Sequence, residues 1–177
     1  MAIYYNIFEP AERKAAFEQL INLIEEQEYH LDVGVLGGRV LFHVLTEFGY
    51  SDLAFSMITR PDYPSYGNWI ARGATTLWEV FQPEGSDRIG SLNHHFWGDI
   101  SSWFTQALSG IRMAPHGEPN EVDFRPSFIS RLTHAEPFHI APAGRIASAW
   151  ERDEDDVIVL TVKLPSTMHG VIRLESG

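Results

Sequence analysis

Glu79 is the residue whose surroundings point most directly to chemistry. It closes the run Gly73-Ala74-Thr75-Thr76-Leu77-Trp78-Glu79, which follows Arg72 and holds no other charge. A carboxylate among small and apolar neighbours is expected to be at least partly desolvated, which disfavours its charged form unless a partner offsets the effect. A general base that takes a proton from water occupies such a position. The plainer alternative is a carboxylate that pairs with an arginine or a helix terminus. Asn93, His94, His95 and Asp99 follow, and Tyr63, Tyr66, Trp69, Trp78, Phe81, Phe96, Trp97, Trp103 and Phe104 crowd the same stretch, with four of the chain's five tryptophans among them. Flat apolar faces beside carboxylates and imidazoles suit a sugar, whose C–H face packs on a ring while its hydroxyls bond polar groups. Ordinary core packing is the competing account, and it is expected for Trp103 and Phe104, which fit a periodic helix face. Trp78, next to the carboxylate, stands open between the two.

Other chemistries find little support. Adjacent His94 and His95 do not share a helix face, and Gly98 occupies the i+4 position of His94, so no metal site is expected. His94 after Asn93 reads as a hydrogen-bonding residue, with core packing as the alternative. Gly-x-Ser-x-Gly, a P-loop and a dinucleotide fingerprint are all missing, so no cofactor is expected. His116, His134, His139 and His169 are scattered over the last third and are expected on its surface. The chain has no cysteine, which excludes disulfides and thiolate sites. A net charge of −11 argues against a nucleic-acid partner. No run approaches the ~20 apolar residues of a membrane span, so no membrane partner is expected. Met1–Phe8 lacks the features of a secretory leader, which makes the cytoplasm the default compartment.

The elements that must position these residues change type along the chain. Residues 10 to about 110 read as helical. Pro10 suits a first turn and Glu12 the positive end of a helix dipole. Phe17, Leu20, Ile21 and Ile24 follow the i, i+3, i+4, i+7 template, as do Leu41, Val44, Leu45 and Phe48, with Gly49 as a left-handed stop. Ser51 is expected to cap a short helix that ends at Arg60-Pro61, and Ile100, Trp103, Phe104 and Ala107 mark another, with Gly110 after it. Pro61–Gly67 and Pro83–Gly90 read as loops. Ile3, Tyr4, Tyr5, Ile7 and Phe8 look like the tail of an earlier buried helix. After Gly110, closely spaced prolines exclude helix, and alternation over Ile158–Leu164 marks a strand. A turn at Asp153–Asp156 pairs it with Ile146–Arg152, and Val171–Leu174 supplies a further strand. The expected division is a helical part, 1–110, and a small β domain, 111–177.

Several of these segments carry a resemblance. Leu45–Ala54, Asp62-Tyr63-Pro64-Ser65-Tyr66-Gly67, Gly73–Glu79 and Ser91-Leu92-Asn93-His94 together resemble the last part of the catalytic domain of bacterial α-L-rhamnosidases. Gly144–Trp150 is similar to part of their C-terminal β domain. The resemblance implies an α+β chain: a helical segment of an (α/α)6 barrel, incomplete here, followed by a small antiparallel β-sandwich. It implies an inverting hydrolysis of terminal α-L-rhamnosides with Glu79 as general base. It also implies that His94 contacts the rhamnose, with Trp78 and Asn93 as further substrate-binding residues. The family's general acid lies upstream of the base in a section outside this chain, so the chain alone is expected to be inactive. A shorter spacing between the Glu79 and Asn93-His94 motifs implies a trimmed loop at 82–90. The implied partners are a rhamnose-containing glycoside and either a second copy or a complementary upstream chain. A non-catalytic carbohydrate-binding or interaction module derived from the same fold is the alternative.

Overall fold

A computed structural model of the chain describes residues 1–86, 90–114 and 117–174. Its backbone divides into two compact units, Met1–Ile100 and Ser101–Gly177. The first holds helices α1 (Pro10–Glu26), α2 (Val35–Glu47), α3 (Ser51–Thr59) and α4 (Tyr66–Ala71), with a 3-10 turn at His95–Trp97 and the start of α5 (Asp99–Leu108). Pro10 occupies the first turn of α1, where its missing N–H costs nothing, and the Glu9 N–H donates to the Glu12 carboxylate at 3.1 Å. Phe17 and Ile24 are buried on the predicted face, and Phe17 stacks on Phe48 with ring centres 3.9 Å apart.

Three helices stop by the same device, in which a residue at positive φ lets two N–H groups turn back onto the last carbonyls. Gly49 (φ +83°) and Gly73 (φ +82°) play this part after α2 and α4, with Tyr50 N–H bonded to Leu45 O at 2.8 Å and Ala74 N–H to Trp69 O at 2.9 Å. After α1, Glu28 takes φ +53° and Tyr29 N–H reaches Ile24 O at 2.9 Å. The same pattern closes Met1–Ile7: Ile7 N–H bonds Ala2 O at 3.0 Å and Asn6 has φ +52°. That segment is therefore a helix-closing turn, as its apolar residues suggest, but only Ile3 is buried while Tyr4, Tyr5 and Ile7 are exposed.

Three local expectations are corrected. Ser51 is the first helical residue of α3 rather than its cap, a place Tyr50 takes. The loop expected through Gly67 ends earlier, because the Ser65 hydroxyl accepts the Asn68 N–H at 2.9 Å and starts α4 at Tyr66. The helical stretch is also interrupted, since the described residues between α4 and His95 form no helix.

In the second unit β5 (Gly144–Arg152) is central, with β3 (His134–Ala135) and β4 (Phe138–Ala141) along one edge and β6 (Ile158–Lys163) along the other, all antiparallel. The β5–β6 turn falls at the expected Asp153–Asp156, where Asp153 Oδ1 accepts the N–H groups of Asp155 and Val157 at 3.0 and 2.9 Å. A second sheet orders β1 (Ile111–Met113), β2 (Glu121–Phe124) and β7 (His169–Ile172). Ile111, Val122 and Phe124 of this sheet meet Ala141 and Ile146 of the other in one buried core, which makes the unit a sandwich. The expectation of purely antiparallel sheets meets one exception: β7 runs parallel to β2. Buried Asp123 favours that placement by bonding Arg173 Nε, just after β7, at 2.8 Å and Arg125 Nη2 at 2.7 Å. His134, His139 and His169 are exposed as expected, and His116 lies outside the described residues.

Candidate functional site

The site is built on the non-helical chain that follows α4. Beyond Gly73 the backbone runs through Glu79, then returns at Gly90–His94 alongside it. Four bonds lace the two stretches: Glu79 N–H to Ser91 O, His94 N–H to Leu77 O and Ser91 N–H to Glu79 Oε2, each 2.8 Å, and Thr76 Oγ1–H to Leu92 O. The approach is close at Gly90, where a Cβ would lie 3.1 Å from Val80 Cγ2 and 3.3 Å from Glu79 Cβ, so these side chains would have to give by a few tenths of an ångström. Residues 87–89 of the loop expected to be trimmed lie outside the described residues.

The buried aromatic cluster fixes the stretch from behind. The Trp97 indole N–H donates to Glu79 O at 2.9 Å. Trp97 lies against Gly38 of α2, where any Cβ would come within 2.2 Å of the ring. Trp69 stacks on Phe81 at 4.2 Å, Phe81 meets Trp97 at 4.7 Å, and the Tyr66 hydroxyl donates to Trp97 O at 3.2 Å. Burial, aided by the nearby Asp99 carboxylate, pushes the Tyr66 phenol well above its ordinary value, so it remains a donor. Tyr66, Trp69, Trp97 and Trp103 are thus core, Trp103 as its helical spacing indicates, while Trp78, Phe81 and Phe104 are half-buried and Tyr63 and Phe96 are exposed.

Glu79 itself is exposed, which corrects the expectation of a desolvated carboxylate. Its uncharged sequence neighbours do not close over it; among the described residues its carboxylate is held by a backbone N–H, that of Ser91. A carboxylate held by one amide keeps lone pairs directed to solvent, and so can accept a proton from a water molecule. His94 is half-buried, and its Nδ1 accepts the Phe96 N–H at 3.4 Å, which leaves the neutral ring's proton on Nε2. Asn93 is exposed, its main chain closed on the Ser91 hydroxyl at 3.0 and 3.2 Å. Trp78 is half-buried, with the Arg72 guanidinium 5.3 Å from its ring centre and Trp69 at 6.1 Å. The fold therefore sets Glu79 and Asn93-His94 on paired stretches, with Trp78 on the aromatic wall. No group of three or more metal-ligating side chains occurs among the described residues.

Sequence reasoning passed over a second feature of the same unit. His43 Nε2–H donates to Asp99 Oδ2 at 2.8 Å, and Asp99 borders a cleft of about 380 Å³ with Val35, Leu36, Arg39, His95 and Phe96. Arg39 and His43 stand one turn apart on α2, a spacing visible in the sequence. The bond from His43 to Asp99 is not.

Comparison with known proteins places the chain in a family. Residues 1–108 match the family model of the bacterial alpha-L-rhamnosidase 6 hairpin glycosidase domain, and residues 120–176 that of the bacterial alpha-L-rhamnosidase C-terminal domain. An alpha-L-rhamnosidase of Streptomyces avermitilis is 31% identical over 93% of this chain and 16% of its own length; one from an Alteromonas species is 32% identical over 88% and 17%. The crystal structure of the Streptomyces avermitilis alpha-L-rhamnosidase complexed with L-rhamnose is 30% identical and superimposes with a TM-score of 0.89 over 97% of this chain and 17% of that one. The chain thus spans less than a fifth of the curated relatives it matches. With well over half its length covered by a helical hairpin domain and nearly all the rest by its β companion, the chain belongs to the bacterial alpha-L-rhamnosidase family.

Proposed function

We propose that the chain is the C-terminal portion of an inverting α-L-rhamnosidase and carries the base half of its catalytic site. Residues 1–110 then form the end of the helical catalytic domain and 111–177 its β-sandwich companion. Glu79 deprotonates the water that attacks the anomeric carbon of a terminal α-L-rhamnoside, from the face opposite the leaving group. His94 bonds the rhamnose ring, with Asn93 and Trp78 as further contacts. The observation that supports this most is the exposed Glu79 carboxylate, fixed by the Ser91 N–H at 2.8 Å on the stretch paired with His94. The general acid comes from upstream chain, at ~6.5–9.5 Å from Glu79 to leave room for the water. Without that acid the chain alone does not hydrolyse rhamnosides at a useful rate, since general acid–base assistance contributes typically about 10²–10⁴-fold. Exposed Leu23, Leu36 and Ile70 support association with a complementary upstream chain or with a second copy.

Mixing tests this directly. The chain is combined with the upstream portion of the Streptomyces avermitilis relative, and hydrolysis of an aryl α-L-rhamnoside is followed. Activity is expected from the mixture and from neither part alone, and Glu79→Gln should remove it. Activity that survives Glu79→Gln means another residue is the base. The exposure of Glu79 also favours a second account, a non-catalytic carbohydrate-binding or interaction module, which predicts no restored hydrolysis.

A further inference from the structure

The second unit contains a pocket that has no part in the chemistry proposed for Glu79. Its walls come from α5, β1 and the edge strand β4, and its volume, about 620 Å³, falls within the range of small-molecule sites. These walls reverse the charge balance of the chain. Acidic side chains outnumber lysines and arginines 24 to 13, yet the lining brings in the Arg112 guanidinium and the His139 imidazole and no carboxylate. His139 is exposed, and its ring donates from one nitrogen when neutral and from both when charged. The helix wall is polar and uncharged. The Gln106 amide N–H donates to Ser102 Oγ at 2.9 Å, which leaves the hydroxyl proton for a further acceptor and the Gln106 carbonyl for a further donor. The two residues stand one turn apart and hold each other, so the pair is set before any ligand arrives. Ile111 is buried and Met113 half-buried, and they add apolar surface.

We propose that this pocket binds a sugar acid, a hexuronate whose carboxylate pairs with Arg112 and His139 while its ring hydroxyls bond Ser102 and Gln106. A guanidinium and an imidazole suit a carboxylate, a hydroxyl–amide pair suits neighbouring hydroxyls, and Ile111 with Met113 suits the C–H groups of the ring. A neutral sugar leaves the charged wall without a counterpart. A bare carboxylate leaves the helix wall and most of the volume unfilled. The site performs no reaction, and it stands or falls independently of the role assigned to Glu79.

The test is a ¹⁵N NMR titration of the 177-residue chain with D-glucuronate, with D-glucose, which has the ring without the charge, and with acetate, which has the charge without the ring. D-glucuronate is expected to give saturable shifts at the amides of Ser102, Gln106, Arg112 and His139, and to bind roughly tenfold or more tighter than either control, the worth of a hydrogen bond to a charged group. His139→Ala, at an exposed edge-strand position, and Ser102→Ala should each weaken glucuronate roughly three- to tenfold, the worth of a net hydrogen bond, with amides elsewhere in the spectrum unmoved. Glucose that binds as well as glucuronate removes the charged wall from the site, acetate that binds as well removes the sugar, and either result overturns the proposal. So does glucuronate that shifts none of the four amides, or binding that neither His139→Ala nor Ser102→Ala alters.

Discussion

The β5–β6 hairpin and the paired stretches 74–79 and 90–94 solve the same problem, holding two lengths of chain side by side, in opposite ways. The hairpin repeats one unit: Ala147 to Arg152 pair in unbroken register with Lys163 to Ile158, and β5 buries Ile146, Ser148 and Trp150 in alternation. The site stretches have two backbone bonds among the described residues, and the rest of the fastening is done by single side chains, Thr76, Glu79, Ser91 and Trp97. A ladder pairs the backbone groups that face each other and points side chains at fixed faces. The irregular pairing leaves Glu79 and Asn93 free to face solvent, at the expense of cooperativity. Regular pairing builds the support, and irregular pairing carries the candidate site residues.

The contrast can be broken by comparing losses. Trp150 is fully buried and its indole N–H donates to Leu108 O at 3.1 Å, so Trp150→Ala should cost about 3–5 kcal/mol in urea unfolding of the second unit. A loss below about 1 kcal/mol would mean that the hairpin is not anchored where its alternation says. Asp123→Asn comes next. The arginines at 173 and 125 hold the Asp123 carboxyl below its ordinary value against the opposing effect of burial. A depressed folded-state value stabilises above the unfolded value, near 3.9, and that stabilisation is lost as pH falls through the folded one. The variant should therefore be about 2 kcal/mol less stable at neutral pH, less than a fully enclosed pair because both guanidinium groups are nearly half exposed. Its deficit should shrink as pH drops below about 4; a deficit independent of pH would assign the loss to packing instead. Thr76→Val sharpens the other side. It keeps the shape and removes only the hydroxyl that bonds Leu92 O, so about 0.5–1 kcal/mol is expected, with shifted Ser91 and His94 amides in NMR spectra. A cost equal to that of Trp150→Ala would erase the distinction between the two regions.

Much of the support was legible because it is written locally. Phe17 and Ile24 are three or four residues from their helical neighbours, Gly49 closes α2 by its own φ, and the Asp153–Asp156 turn brings together strands that are adjacent in sequence. At Ser51 the reading was one residue off, because Tyr50 takes the cap position without a side-chain hydrogen bond and so without the residue type that marks a cap. The parallel β7 was not legible, since nothing within His169–Ile172 specifies its direction; Arg173 reaching Asp123 does, across fifty positions.

The candidate site divides along the same line. Residue types and spacing by themselves marked Glu79 and Asn93-His94 as candidates, and set Trp103 on a buried helix face. Only tertiary structure decided that the Glu79 side chain is exposed, that Trp97 holds the Glu79 carbonyl while resting on Gly38, and that Arg39 and Phe96 share one cleft with Asp99, which His43 holds. Periodicity records which face of an element is apolar, because burial repeats with the element. Exposure and the meeting of distant polar groups depend on where whole elements come to rest, and that leaves no period in the sequence.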